Sequence, residues 1–387
     1  MASDKIKDIP ASKFSENFFA TLNSEIFRME SSGADIIRLD IGNPDLPPAD
    51  HIIKALNVWG SRKDAHGYQP HRGTEELREA WARMYRQKYG VDIDPEIVLP
   101  LLGSKEGVFH LSIAVLNPGD VVLIPDPSYQ TYSQVAKFAN AVPILFPLDP
   151  ENDYLPDFSA IPAETAKRAK LMWLNYPNNP TGAVASIDIL QEAVEFCRKY
   201  EIILCHDAAY SQVTFDYQAP SIFQIPDSIS VAIELNTLSK SHNMAGWRVG
   251  AAIGHKESRK ALYKLKTHAD SGHFLPVIQA AIAAMSGDQS WLEERNKIYM
   301  KRRDELSDSL RRIGFTPQKP KASLYIWCPL PKEWTSETFV LETLKNTHVS
   351  FAPGIVFGCN WDKYIRISLT QPIERIQEAM ERLSKWL

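Results

Sequence analysis

Apolar residues along the chain collect in short, nearly continuous runs separated by polar, turn-rich segments. The runs VVLIP (121–125), KLMWLNYP (170–177), EIILCHD (201–207) and SVAIELN (230–236) each have the length of a strand. A strand with one face in water alternates apolar and polar positions, whereas a strand covered on both faces does not, so these runs predict doubly buried strands. Between two of them, Ser186 is placed to cap a helix on which Leu190, Val194 and Cys197 share one face. The alternation of strand and helix predicts a mostly parallel sheet covered by helices.

After about residue 288 the texture changes. WLEERNKIYMKRRDELSDSLRRIGF predicts a long charged helix with Leu292, Leu306 and Leu310 among its apolar positions and an end near Gly314. KASLYIWCPLP and KYIRISL, followed by an amphipathic helix, predict a small α+β unit to which the N-terminal arm can return. The expected division is an arm and first part of the small domain over 1–48, a large domain over 49–288 and the rest of the small domain over 289–387.

Composition narrows the partners. With 387 residues, 44% of them hydrophobic, the chain can bury a sizeable core. Its 43 basic and 47 acidic residues leave a formal charge of −4 without a long basic run, so no nucleic-acid track and no membrane patch is expected and small molecules are the better partners. Cys197, Cys205, Cys328 and Cys359 form no C-x-x-C pair, which argues against a disulfide framework and against a zinc site, and no metal is expected. The opening MASDKIKDIP is polar, and no apolar stretch approaches the ~18 residues of a membrane span, so a cytoplasmic protein is expected.

In open parallel sheets, ligands gather beyond the carboxyl ends of the strands. Here DPSYQTY follows the first run, NNPTG the second, AAY the third and TLSK the fourth, which should bring Tyr129, Asn179, Asp207, Tyr210 and Lys240 toward one region. LLGSKEGVFHLSIAVL (101–116) reads as a glycine turn opening a helix, whose free N–H groups suit an anion. Lys240 lies in LNTLSKSHNMAGWRVGAAIG (235–254), a polar, glycine-punctuated segment that reads as a loop at the edge of a sheet. Singly, Asp207 reads as a helix cap, Tyr129 as a packed aromatic and Lys240 as a solvated side chain. Their order at successive strand ends points to chemistry.

N-Y-P-N-N-P-T-G, D-A-A-Y, S-K-S-H-N-M-A-G-W-R and the late R-I-S-L resemble the class I/II aminotransferases, fold type I enzymes that use pyridoxal 5'-phosphate (PLP). The resemblance runs from LDIGNPDLPP (39–48) to YIRISLTQ (364–371). It implies a ping-pong transfer of an amino group from an L-amino acid to a 2-oxo acid such as 2-oxoglutarate. Lys240 then forms the Schiff base with PLP and moves the proton, Asp207 holds a proton on the ring nitrogen, and Asn179 and Tyr210 bind the ring hydroxyl. Tyr129 covers the ring face, and Ser104, Lys105, Thr237, Ser239 and Arg248 hold the phosphate. Tyr68 reaches the phosphate of a second subunit, which implies a homodimer with shared sites. Arg366, with Asn179 and Gly42 beside it, takes the substrate carboxylate. Thr237 stands where serine is more usual, and His242, where an aromatic residue is frequent, reads as structural.

LDIGNPDLPP, LPLLGSKEG, NYPNNPTGAV, CHDAAYS and RISLTQ most resemble the LL-diaminopimelate aminotransferase-like enzymes. Thr21 and Ile355 depart from that subgroup at places where side-chain specificity is set. Another donor (alanine, aspartate, an aromatic or a specialised amino acid) therefore stays open, as does a PLP-dependent lyase on the same fold.

Overall fold

The computed structural model describes residues 18–387; the stretch 1–17 of the expected N-terminal arm lies outside the described residues. In chain order the strands are β1 Ile37–Arg38, β2 Val98–Leu101, β3 Val121–Asp126, β4 Val142–Pro147, β5 Ala169–Asn175 and β6 Ile203–Asp207. There follow β7 Ala232–Thr237, β8 Gly250–Gly254, β9 Tyr325–Pro329, β10 Val349–Ser350, β11 Ala352–Pro353 and β12 Tyr364–Ser368.

Seven strands build the main sheet in the order β2-β8-β7-β6-β5-β3-β4. Pairings from β4 through β7 are parallel, and β8 runs antiparallel to both of its neighbours. The four apolar runs of the sequence are β3, β5, β6 and β7, all but a few of whose residues are buried. Helices supply the cover that this burial demands. Ser186 caps the helix Ile187–Lys199, and Leu190, Val194 and Cys197 turn inward as their spacing requires. On the far edge, β4 leaves Val142 and Leu145 exposed.

A second layer gathers both ends of the described chain. β11, β12 and β9 form a small antiparallel sheet, and β1 pairs in parallel with β10. The helix Phe18–Ser31 contributes Leu22 and Ile26 to the same core as Ile365, Ile367 and Leu383. The charged helix Ser290–Arg312 buries Tyr299, Leu306 and Leu310 in that core, and its Arg302 makes a two-pronged pair with Asp45 at 2.7 and 2.8 Å. Arg366 on β12 is thereby carried to the carboxyl ends of the main-sheet strands, where its guanidinium meets Asn179.

Candidate active site

A cavity of about 220 Å³ opens at those strand ends. Its wall includes Ser104, Lys105, Tyr129, Asn179, Asp207 and Tyr210, and also Thr237, Ser239, Lys240, Arg248 and Arg366. Residues separated by more than 260 positions therefore meet in one place. Gly42 joins them through its carbonyl, which accepts a hydrogen bond from Lys240 Nζ at 2.5 Å.

Lys240 stands in a helical turn, Leu238–Ser241, rather than in the expected loop. Thr237 ends β7 and caps this turn, accepting from Ser239 N–H at 3.1 Å, so strand and turn fix the lysine backbone. Burial pushes its amine below the ordinary lysine range; the Tyr325 phenol opposes that shift, and the Arg366 and Arg248 guanidiniums add to it. A lysine so placed is more readily neutral, the form that acts as nucleophile and base.

Asp207 is the last residue of β6. Its Oδ2 accepts from the Tyr132 hydroxyl at 2.8 Å and its Oδ1 from Ala209 N–H at 3.3 Å. Burial raises its carboxyl above the ordinary range, although the Tyr132 hydrogen bond works the other way. Such a carboxylate is suited to a cationic N–H partner.

Another part of the cavity wall collects groups that suit an anion. Gly103, at φ +82°, turns the chain into the helix Ser104–Val115, whose first N–H groups are free. A side chain at Gly103 would collide with the Arg248 guanidinium, which donates to Leu102 O at 3.2 Å and Ala245 O at 2.8 Å. Hydroxyls of Thr237 and Ser239 lie 3.0 Å apart beside it. Behind the turn, Glu106 accepts from Leu102 N–H and pairs with the buried Lys266 at 2.9 Å. Although burial works against it, His110 and Lys266 hold the Glu106 carboxyl down to about 2, so this brace is ionised at working pH.

Arg366 donates to Asn179 Oδ1 at 3.0 Å and to Asp40 O at 2.7 Å. Its guanidinium carbon lies 4.0 Å over the Tyr325 ring and 4.8 Å from that of Phe357. Its buried Nε has no partner among the described residues, an unmet donor of the kind a carboxylate satisfies.

Three further residues of the site were not singled out from the sequence. Tyr132, on Asp207, lies within the DPSYQTY segment but three positions beyond the tyrosine singled out there. Asn175, the first residue of NYPNNPTG, accepts from Asn179 N–H at 2.8 Å and donates to Asp207 O at 2.7 Å. Tyr325 opens β9, and its hydroxyl lies 2.9 Å from that of Tyr210. It also explains Gly42, since a Cβ there would run into the Tyr325 hydroxyl. No local spacing marks Tyr325; only tertiary packing brings it here.

Four residues singled out in the sequence stand apart. Tyr68 is 92% exposed and does not line the cavity of its own chain. Thr21 is exposed on the first helix, and Ile355 is half-buried in the turn Gly354–Phe357; neither lines the cavity, and the residue of that turn that approaches Arg366 is Phe357. His242 is buried between Ser241 Oγ at 2.8 Å and Gln289 Oε1 at 3.2 Å, and burial lowers its imidazole to about 3, in keeping with a structural place.

The family description "Aminotransferase class I and II" matches residues 34–383. A Moorella thermoacetica protein named LL-diaminopimelate aminotransferase is 44% identical, the match covering 95% of each chain. A Dehalococcoides mccartyi protein of the same name is 40% identical over 99% of this chain and 98% of its own. Among solved structures, substrate-bound BacF from Bacillus subtilis superposes with a TM-score of 0.94 at 37% identity, covering 100% of this chain and 98% of that one. An aminotransferase from Staphylococcus aureus gives 0.88 at 33% identity over 99% and 98%. A shared architecture, a full-length family match and a cavity with the donors that such chemistry uses lead to one conclusion: the chain belongs to the aminotransferase class I and II family, PLP-dependent transaminases of fold type I.

Proposed function

We propose that this transaminase carries PLP on Lys240 and moves the amino group of LL-diaminopimelate to 2-oxoglutarate, as a cytoplasmic homodimer divided near residues 48 and 288. The observation that carries the cofactor reading is the make-up of the cavity wall, which brings together a buried carboxylate, a helix N-terminus, a guanidinium and a buried lysine. When bound, PLP supplies an aldehyde for the amine and a protonated ring that withdraws electrons from the carbon that loses its proton.

The protein's own groups do the rest. Asp207, as a buried anion, would keep a proton on the ring nitrogen, and Asn179 and Tyr210 would orient the ring hydroxyl while Tyr129 packs on its face. Ser104, Lys105, Thr237, Ser239 and Arg248 would hold the phosphate dianion at the helix N-terminus. Arg366 would take the α-carboxylate in a two-pronged pair, with Asn179 and Gly42 beside it. Lys240, neutral once its amine is released, would remove the proton from the substrate carbon and return it one atom away.

LL-diaminopimelate is favoured by the names of relatives matched along nearly the whole chain. One observation favours a second reading, a monocarboxylic donor. Besides Lys240, the cations lining the cavity are Lys105, Arg248 and Arg366, and all three have assigned tasks. A second charged terminus, on the donor or on 2-oxoglutarate, would need partners from elsewhere, such as the other subunit. A panel of amino donors with 2-oxoglutarate, read by glutamate formation, decides. Efficient turnover of LL-diaminopimelate is expected; turnover of alanine or an aromatic amino acid without it selects the second reading, turnover of aspartate without it selects a different dicarboxylic donor, and pyruvate plus ammonia without glutamate selects a lyase.

No helix among the described residues is long and apolar enough to cross a membrane. The homodimer rests on Tyr68, whose exposed phenol is free to reach the phosphate end of a neighbouring site. Tyr68→Phe is expected to raise the Kd for PLP by about tenfold, the scale of one charge-assisted hydrogen bond. At limiting PLP, mixing Tyr68→Phe chains with Lys240→Ala chains should restore activity, because each hybrid then holds one site with both defects and one with neither. Fully exchanged mixtures that stay inactive would remove Tyr68 from the shared site.

A further inference from the structure

Arg295 lies on the helix Ser290–Arg312, outside the cavity wall, and is 3% exposed. No carboxylate among the described residues pairs with it. Its guanidinium instead collects main-chain carbonyls from two segments. Nη1 donates to Lys240 O at 3.1 Å and to Ser241 O, and Nη2 donates to Gln212 O at 2.6 Å and to Asn296 Oδ1 at 2.8 Å.

The first two carbonyls end the helical turn that carries Lys240, where acceptors are left unpaired and a cation is favoured. The third belongs to the segment that begins at Tyr210, two residues earlier. Burying a guanidinium without a counter-ion is unfavourable, and here burial lowers it to about 10. What this arrangement provides is a rigid planar fork that sets two backbone segments against each other, which the single point donor of a lysine cannot do.

We propose that Arg295 is a positioning residue for transamination: it fixes the main chain of Lys240 relative to that of Tyr210 from the long helix behind the site. The inference rests on the assignment of Lys240 and Tyr210 given above. Proton transfer is steep in distance, and a displacement near 1 Å can cost about 100-fold in rate. Loosening this fork should therefore lower kcat more than it raises KM.

The test compares Arg295→Met and Arg295→Lys with Arg303→Met. Arg303 sits on the same helix, is buried, and donates to a main-chain carbonyl, Pro320 O at 3.0 Å, rather than to the turn that carries Lys240. Expected for both Arg295 variants is a fall in kcat of about 10- to 100-fold with KM within about threefold, while Arg303→Met loses thermal stability but keeps its kcat. A second readout needs no turnover. In apoprotein, the pH midpoint for acetylation of Lys240, followed by mass spectrometry, should move up toward the ordinary lysine value in Arg295→Met as water reaches the amine, and should stay unmoved in Arg303→Met. Wild-type kcat and an unmoved Lys240 midpoint in Arg295→Met would overturn the inference. A Lys240→Ala control separates this from failure of the underlying assignment: if that variant stays active, the Lys240 reading itself falls; if it is inactive, the outcome bears on Arg295 alone.

Discussion

Replacing Lys240 with alanine is expected to lower the transamination rate on the order of 10,000-fold, the upper range for losing a positioned proton carrier. The same side chain is assigned the covalent hold on PLP, so the loss combines two defects. Wild-type protein should be yellow, and borohydride reduction should fix the cofactor to the peptide containing Lys240. The alanine variant should still bind PLP through the phosphate contacts proposed for Arg248, Ser239 and the helix N-terminus, with a weaker hold and a changed visible spectrum. Because the Lys240 amine is held below the ordinary lysine range chiefly by burial, wild-type apoprotein should acetylate at this position at lower pH than at its surface lysines. Peptide mapping that finds reduced cofactor on another lysine would refute the assignment.

Asp207→Asn is expected to cost about 100- to 1,000-fold in kcat, the scale of a lost electrostatic stabiliser, with PLP still bound. An amide fills the same volume and can accept from Tyr132, yet it carries no charge to hold a proton on the ring nitrogen. An independent check uses apoprotein. Burial raises the Asp207 carboxyl above its ordinary value of 3.8, so between that value and the folded one the unfolded chain has already released a proton that the fold retains. Stability from this group therefore falls as pH rises through that interval and stays lower above it. The asparagine apoprotein, with no buried charge to solvate, should melt at or above the wild-type temperature at neutral pH while turning over far more slowly. Near wild-type turnover would leave the carboxylate a purely structural role.

The sequence itself determined much of the architecture and of the site. Runs of unbroken apolar residues can be satisfied only by strands covered on both faces, so β3, β5, β6 and β7 were legible, as were the Ser186-capped helix and the long helix Ser290–Arg312. The residues after those strands were legible as candidates for the same reason: in a parallel sheet, carboxyl ends share an edge. Less visible were β2 and β8. VLPL holds a proline and GAAIG is mostly glycine and alanine, all weak strand formers, and pairing with each other and with β7 decided them. The turn around Lys240 was likewise too short to carry a helical period.

What only the tertiary structure decided is which distant groups face the strand ends. Tyr325 and Arg366 come from the small antiparallel sheet, Gly42 from a segment almost 200 residues before Lys240, and Arg295 from the helix behind it. Each is placed by packing of one layer against another, and such contacts have no signature in local spacing. Local pattern records how a segment satisfies its own backbone and buries its own face. The hydrogen bonds of Asp207 to Tyr132, Tyr210 to Tyr325 and Lys240 to Gly42 arise only when separate segments are brought within about 3 Å by the collapse of the whole chain.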